Sequence, residues 1–323
     1  MTRRVALRLA IVLLAMLGLL IPGVGQGAEK FKIGILLSGD DARYVVTAEA
    51  ALKQLKAEGF DDSKLLVETQ SAKGDAALAA KLARQFGANR VRVLLTMGTG
   101  ATGVALKELK DTPIVFGMVW DPVEAGFAKS WAAPGTNATG SSNKMPLAIA
   151  LKTLKRLGPL QRLGVLFNPA EKNSVIQLDE LKGLQRELAF EAIEVPVSKK
   201  EEAAAVVRTF APRVQAFYIT GAVTVTSQMA AIAAVAAEHK LPTVSHTIDN
   251  VEAGALLGVT ASLQEVGKLT GVKAAQILRG GTPATIPIDT PKHFEVAINM
   301  KTATATGMKV PVDLLQSATR VIR

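Results

Sequence analysis

The chain has 323 residues, of which 49% are apolar and 4% aromatic, and its formal net charge at pH 7 is +10. This length accommodates two domains of ordinary size, and the abundance of apolar residues excludes a disordered chain. The chain has no cysteine, which excludes disulfides, Cys-ligated metals, a thiol nucleophile and attachment through a lipid-modified cysteine. Its basic residues are dispersed and do not alternate with aromatics, so nucleic acid is not indicated as a partner.

Residues 1–28 have the pattern of a cleavable export signal. Arg3 and Arg4 precede an apolar run over 9–21, and small residues lead to Ala28. This run is short for a membrane-spanning helix, and its order of charged, apolar and small residues is typical of secreted chains. We predict a periplasmic protein without stable membrane insertion. The general secretory route and, because of the paired arginines, the twin-arginine route both fit.

From residue 31 onward, short apolar runs alternate with segments of helical length. Continuous apolar runs are typical of parallel strands that are covered on both faces, and their alternation with helices predicts doubly wound α/β sheets. The predicted strands are Phe31–Leu37, Lys64–Thr69, Val91–Met97, Pro113–Met118, Arg162–Phe167, Ala192–Val197, Gln215–Ile219, Thr243–Ser245, Ala255–Thr260 and Phe294–Ile298.

A cluster of turn residues over Pro134–Gly140 interrupts this series and predicts a crossing between two lobes. We predict that lobe 1 comprises 29–120 and 250–288, and that lobe 2 comprises 121–249 and 289–323. Several crossings of the chain would form a hinge between the lobes. Because ligands of open parallel sheets lie at the carboxyl ends of the strands, we expect one ligand cleft between the lobes.

Lobe 1 offers candidate ligand-binding residues at the ends of its strands. Ser38 and Tyr44 follow the first strand, and Gly98 and Thr99 open a G-x-G-x-x-G segment after the third. The alternative of a dinucleotide site is disfavoured, because that pattern belongs on the first βα unit of its domain. The N–H groups at this helix start suit a carboxylate or another anion.

The fourth strand ends at Trp120 and Asp121, and Pro122 keeps Asp121 out of the helical region. Trp120 is a candidate for stacking on a ligand, with lobe packing as the alternative. Asp121 is the acidic candidate for a ligand ammonium group, and an Asp-Pro turn is the favoured alternative.

Lobe 2 contributes four further candidates. Asn173 and Ser174 are suitable N-cap residues at a helix start that would face the cleft, so capping and ligand binding are compatible there. Gly221 and His246 follow two other strands of this lobe.

Signatures of catalysis and metal binding are weak. The three histidines, His239, His246 and His293, lie in separate elements without metal-binding spacing. The chain has no G-x-S-x-G segment for a serine nucleophile. We therefore predict no cofactor, no metal and no enzymatic activity.

Eight segments, taken in order, carry a resemblance to a known family. They are Thr69–Asp75, Pro113–Phe116, Asp121–Gly126, Pro134–Gly140, Asn168–Ser174, Gly254–Leu256, Gly280–Ala284 and Ile298–Asn299. Together they resemble ABC-transporter substrate-binding proteins of the tryptophan/tyrosine-permease-associated family, over nearly the whole chain after residue 28. The resemblance implies a type I periplasmic-binding fold, a small-molecule ligand, the transmembrane subunits of an ABC permease as partners, a monomer, and a ligand-binding role for the loop that begins at Gly98.

The chain departs from this family at two places. Gly221 and Ala222 stand where many relatives place Asp-Asn, and Val259–Ser262 stand where aromatic residues are frequent. These departures disfavour an aromatic amino acid and favour a smaller, uncharged or anionic ligand. We predict a periplasmic solute-binding protein of an ABC importer that captures an amino acid or a related small carboxylate by hinge closure. A sensory subunit that signals to a membrane receptor kinase is the alternative.

Overall fold

The computed structural model describes residues 30–323, and the predicted export signal lies outside them. The first sheet consists of β1 (Phe31–Leu37), β2 (Leu65–Ser71), β3 (Val93–Met97), β4 (Ile114–Val119) and β5 (Ala138–Ser142). These strands are parallel and lie in the order β2-β1-β3-β4-β5. Their connecting helices are α1 (Ala42–Ala57), α2 (Ala76–Ala88) and α3 (Thr99–Glu108).

The second sheet consists of β6 (Arg162–Phe167), β7 (Glu191–Pro196), β8 (Ala216–Ile219), β9 (Thr243–Ser245), β10 (Leu257–Ala261), β11 (Phe294–Asn299) and β12 (Arg320–Ile322). Their order is β12-β11-β10-β9-β8-β6-β7, with β11 antiparallel to β10 and the other neighbours parallel. The remaining helices are α4 (Leu147–Lys155), α5 (Lys172–Gly183), α6 (Ala203–Phe210), α7 (Val223–Thr226), α8 (Met229–Glu238), α9 (Ile248–Glu252), α10 (Leu263–Leu278), α11 (Met300–Thr306) and α12 (Val312–Ser317). Short 3₁₀ helices lie at Lys200–Glu202, Ala211–Arg213 and Pro283–Thr285.

The central strands are buried along their whole length because helices cover both faces of each sheet. Every residue of β3 and β4 is buried, and two apolar clusters accompany each sheet, one on either face. Such burial explains why these strands read as uninterrupted apolar runs. The edge strand β2, by contrast, is largely accessible to solvent.

The first passage between the sheets occurs after β5, later than the crossing predicted at Pro134–Gly140. β5 pairs with β4 in the first sheet, although its residues were expected in lobe 2. Its small and polar side chains concealed it as a strand. Their burial is compensated by hydrogen bonds, from Thr139 Oγ1 to the Ile286 carbonyl oxygen at 2.7 Å and from Ser141 Oγ to the Val266 carbonyl oxygen at 2.9 Å.

Segment 250–288, expected in lobe 1, divides between the two sheets. β10 pairs with β9 and β11 in the second sheet, whereas α10 packs along α1 beside the first sheet. The two helices approach closely because Gly267 and Gly271 lack side chains: an added Cβ would lie 2.5 Å from the carbonyl oxygens of Thr47 and Ala51, respectively. Within this segment, α10 thus lies with the first sheet and β10 with the second.

The chain passes between the two lobes three times: between β5 and α4, between β10 and α10, and before β11. The first and third passages run side by side. Ser141 forms a parallel bridge with Asp289, and the Ser142 N–H donates to the Asp289 carbonyl oxygen at 2.8 Å. These adjacent crossing segments connect the two lobes.

Candidate functional site

Two adjacent spaces lie where strand ends of both sheets meet. We call the smaller one the inner cavity; its volume is about 20 Å³, close to the space that one water molecule needs. Six of the predicted site residues line it: Tyr44, Thr99, Trp120, Asn173, Gly221 and His246. Residues from both lobes thus meet at the place that the strand-end rule predicts.

The outer cleft is the larger space, with a volume of about 620 Å³. It shares Tyr44, Thr99 and Asn173 with the inner cavity, and it extends between α2 and α3 of lobe 1 and the loop before α5 of lobe 2. This volume lies in the range of pockets that take small organic ligands. The inner cavity therefore forms the polar end of a wider opening.

Ser38 and Gly98 shape the wall beside the inner cavity. The Ser38 hydroxyl accepts a hydrogen bond from the Ala101 N–H at 2.9 Å, so this N–H group of the α3 start is used within the protein. Gly98 has φ +99°, and a Cβ there would lie 2.5 Å from Ser38 Oγ and 2.8 Å from Tyr44 Cε1. Both its backbone conformation and the lack of space require glycine.

Asp121 and Ser174 are buried but do not line the inner cavity. The Asp121 carboxylate accepts hydrogen bonds from the N–H groups of Val123 and Glu124 at 3.0 and 3.1 Å, and Lys144 Nζ lies 2.6 Å from it. Asp121 thus stabilises the turn that was the favoured alternative.

Ser174 connects two strand-end loops of lobe 2. Its hydroxyl accepts from the Asn168 N–H at 2.9 Å and is hydrogen-bonded to Thr220 Oγ1 at 2.7 Å. The helix α5 begins earlier than predicted, and its N-cap residue is Glu171 rather than Asn173 or Ser174. Because the Glu171 carboxylate accepts from the N–H groups at the start of α7, it connects α5 to that neighbouring helix.

Sequence reasoning missed five residues that complete the lining of the inner cavity. They are Arg43, Met118, Asn143, Gln177 and Thr247. Four are ordinary polar or charged residues in a helix or a connecting segment, where an amphipathic pattern indicates a solvated face. The one available signal was the position of Arg43 in the first turn of α1, the helix that follows the strand end at Ser38.

Arg43 extends from α1 of lobe 1 to residues of lobe 2. Its side chain is 2% exposed, and Nη1 lies 3.5 Å from Asp249 Oδ2 of α9. Nη2 donates to Thr226 Oγ1 of α7 at 3.1 Å and lies 3.4 Å from the Asp41 carboxylate. Burial alone lowers the pKa of Arg43, but Tyr44, Asp249 and Asp41 outweigh this effect and raise it above its ordinary value.

His246 is buried and neutral. Its ring packs edge to face on Trp120, with centroids 4.8 Å apart, and Nδ1 lies 3.2 Å from the Tyr218 hydroxyl. Burial, helped by the charge of Arg43, lowers the pKa of His246 to about 3, and burial raises the pKa of Tyr44 to about 12. At neutral pH, Arg43 is therefore the charged side chain in the lining of the inner cavity.

Three buried polar atoms in this lining have no hydrogen-bond partner: Arg43 Nη1, Thr99 Oγ1 and Asn143 Oδ1. Buried polar groups in folded proteins are almost always paired, so each such atom requires an explanation. Together they offer a charged donor, a hydroxyl and an amide acceptor. This combination suits a carboxylate that also carries a hydroxyl or ammonium group.

We expect the replacement of His246 by asparagine to flatten the acid side of the stability profile. The unfolded chain takes up a proton at His246 near pH 6.5, whereas the folded chain does so only near pH 3. Between these values the unfolded state binds more protons, so the wild type loses up to about 1.4 kcal/mol of stability per pH unit as the pH falls.

The measurement is the urea midpoint of both proteins from pH 7.5 to pH 4.5. Replacement of the exposed His239 by asparagine is the matched control for the loss of an imidazole. Equal slopes for the His246 variant and the wild type would contradict the buried, neutral imidazole.

Residues 30–323 contain no cluster of His, Cys, Asp or Glu that would suit a metal ion. In the same part of the chain, no helix is long and apolar enough to cross a membrane.

Relatives of known structure or function are similar to this chain over most of its length, with 25 to 28% identity. A tyrosine-binding protein of Clostridioides difficile is 28% identical over 260 residues, which cover 80% of this chain and 75% of that protein. A Streptococcus pneumoniae ABC domain in complex with L-Trp matches with a TM-score of 0.87 and 25% identity, over 91% of this chain and all of that one. A ligand-free, open substrate-binding protein from Clostridium difficile matches with a TM-score of 0.70 and 26% identity, over 90% and 99% of the two chains.

The predicted type I periplasmic-binding fold, with two α/β lobes around a cleft, is confirmed by the architecture and by these structures. A family model described as ABC transporter substrate binding protein matches residues 32–322, which is almost the whole described chain. The predicted resemblance is thereby confirmed as well. The chain belongs to the family of ABC transporter substrate-binding proteins.

Proposed function

We propose that this protein captures an amino acid or a related small carboxylate between its lobes, at the inner cavity and the adjoining outer cleft, and delivers it to the transmembrane subunits of an ABC importer. The observation that carries the proposal is the set of three buried polar atoms without a hydrogen-bond partner, on Arg43, Thr99 and Asn143, that line one cavity between the lobes. The Arg43 atom, Nη1, also forms an ion pair with Asp249. One relative is named as a tyrosine-binding protein, and another was solved in complex with L-Trp. Both support an amino acid as the ligand of this protein.

Contacts across the cleft explain how binding would favour closure. Asn173 and Gln177 line the inner cavity from lobe 2, and Tyr44 and Thr99 line it from lobe 1. A ligand that touches both sets has full contact only in the closed arrangement, and this differential affinity shifts the equilibrium towards closure. The ligand would leave chemically unchanged, because the site offers no catalytic constellation.

The proposal includes the location and assembly of the protein. Export through the signal at residues 1–28 would release a mature monomer into the periplasm, where its ligand and its permease are accessible. Arg43 would hold the carboxylate, with Thr99 as a second hydrogen-bonding group. Asn143 would accept from the ammonium or hydroxyl group of the ligand.

A thermal-shift screen of the mature chain, beginning at Glu29, tests this function. We expect a raised unfolding midpoint with amino acids or small carboxylates and none with their amides, since an amide lacks the charge that Arg43 requires. A ligand at 100 times its dissociation constant adds about 2.7 kcal/mol of stability. A response confined to sugars or purines, or none to the whole panel, would contradict the proposal.

A further inference from the structure

The helix α5 of lobe 2 contacts lobe 1 along one of its faces. Lys172 Nζ donates to the Ala125 carbonyl oxygen at 2.7 Å, and Ile176 packs against the apolar cluster of the first sheet to which Ala125 belongs. Further along the helix, Glu180 Oε2 accepts from Trp120 Nε1 at 3.2 Å. Because residues four and eight positions apart share one side of a helix, we call Lys172, Ile176 and Glu180 the latch face of α5.

The carbonyl oxygen that Lys172 contacts lies in a turn of lobe 1 after β4. The Ala125 N–H donates to the Asp121 carbonyl oxygen at 2.9 Å, and the Asp121 carboxylate accepts from two further N–H groups of this turn. Gly126 follows with φ +73°, a conformation that favours glycine. Because these hydrogen bonds lie within lobe 1, they do not depend on the position of lobe 2. The Ala125 carbonyl oxygen is therefore a preformed acceptor for Lys172.

The latch face adjoins the residues of α5 that line the inner cavity. Asn173 and Gln177 line that cavity, and each directly follows a residue of the latch face in the chain. Ile176 and Glu180, by contrast, line neither the inner cavity nor the outer cleft. Lys172 borders the outer cleft, and its amine is engaged with a carbonyl oxygen of the protein. The movement that brings the latch face against lobe 1 thus also completes the wall of the inner cavity.

We propose that the latch face holds the two lobes together in the absence of a ligand, and that the hydrogen bond from Lys172 to Ala125 contributes to this closure. A part of the ligand-free protein is then already closed. The apparent affinity for a ligand that needs the closed form is proportional to the closed fraction, so the latch face raises this affinity through contacts of the protein with itself. This role of α5 goes beyond the proposed capture of a ligand and is the same for every ligand that requires closure.

The test measures the separation of the lobes in the ligand-free protein by electron paramagnetic resonance. Nitroxide labels are attached through Lys81→Cys in α2 and Ala205→Cys in α6, two exposed positions on different lobes, and the chain has no other cysteine that would react. The mature chain is unfolded and refolded beforehand to remove bound small molecules. We expect a closed and an open separation in the wild type. Lys172→Met, which keeps an unbranched side chain without a donor, should lower the ratio of closed to open molecules by about fivefold.

Two further variants make the result interpretable. Lys182→Met is the matched control, because Lys182 lies on the same helix and pairs with Glu194 within lobe 2. This control should leave the ratio of closed to open molecules unchanged. Lys172→Arg keeps a charged donor and should retain most of the closed population, which separates the loss of the hydrogen bond from a general disturbance of α5.

Three outcomes would overturn the proposal. A wild type that shows only the open separation has no latch, and equal ratios in the wild type and in Lys172→Met exclude a contribution of this hydrogen bond. A decrease of the same size in Lys182→Met would show that the loss of any lysine from α5 opens the lobes. Each of these outcomes leaves the proposed capture of a ligand intact, because the thermal-shift screen tests that function separately.

Discussion

Replacement of Arg43 by methionine is expected to weaken carboxylate binding by about 100-fold. Methionine keeps an unbranched side chain but removes the one charged group in the lining of the inner cavity. A buried hydrogen bond to a charged group contributes up to about 3 kcal/mol, and 2.7 kcal/mol corresponds to a 100-fold change in the dissociation constant. Calorimetry with the ligand found in the screen measures this change directly.

The matched comparison uses Arg43→Lys and the amide of the same ligand. Lysine keeps the charge but lacks the planar fork, so we expect an intermediate affinity. The amide should bind the wild type and the methionine variant equally weakly. If the methionine variant retained wild-type affinity for the carboxylate, Arg43 would serve only to connect α1 to Asp249 and Thr226.

Replacement of Gly140 by alanine is expected to lower the unfolding free energy by about 3 kcal/mol. A Cβ at this position would lie 2.1 Å from the Phe116 carbonyl oxygen and 2.6 Å from its ring. One of these contacts is with the backbone of β4, so β4 and β5 would have to separate, which costs more than a side-chain adjustment. The midpoint of thermal unfolding should fall by about 6 °C or more.

Gly183→Ala is the control for this experiment. Gly183 ends α5, and a Cβ there would meet nothing within 4 Å. Alanine in a helix is favoured over glycine, so the control should be neutral or slightly stabilising. Equal effects of the two substitutions would contradict the close packing between β4 and β5.

The sequence predicts this architecture well where burial dictates residue type. The central strands are apolar runs because both of their faces are covered. These uninterrupted runs identify them as strands from the sequence alone. β5 escaped prediction because its buried residues are Ala, Thr, Gly and Ser, and its hydroxyls donate to the carbonyl oxygens of other segments, those of Ile286, Val266 and Trp120. Compensation of this kind depends on tertiary contacts that no local pattern reveals.

The residues of the site divide in the same way, into those that a local pattern predicts and those that depend on tertiary contacts. Strand ends place Tyr44, Thr99, Trp120, Asn173, Gly221 and His246 at one cavity, which the strand-end rule predicts. Arg43 was missed because a charged residue in the first turn of a helix is ordinarily solvated. Its burial is possible only because Asp41, Asp249 and Thr226 converge on it from separate elements.

The pairing of α1 with α10 has a consequence for the order in which the protein folds. Arg279, at the end of α10, donates to the Glu58 carbonyl oxygen at 2.7 Å across a separation of 221 residues. All five strands of the first sheet precede α10 in the chain, so one apolar face of that sheet remains partly uncovered until residues 263–278 have emerged. Contacts of such range form slowly, and the uncovered face is prone to aggregation meanwhile. We expect chains that end before α10 to expose this apolar face and to aggregate more readily than the full chain.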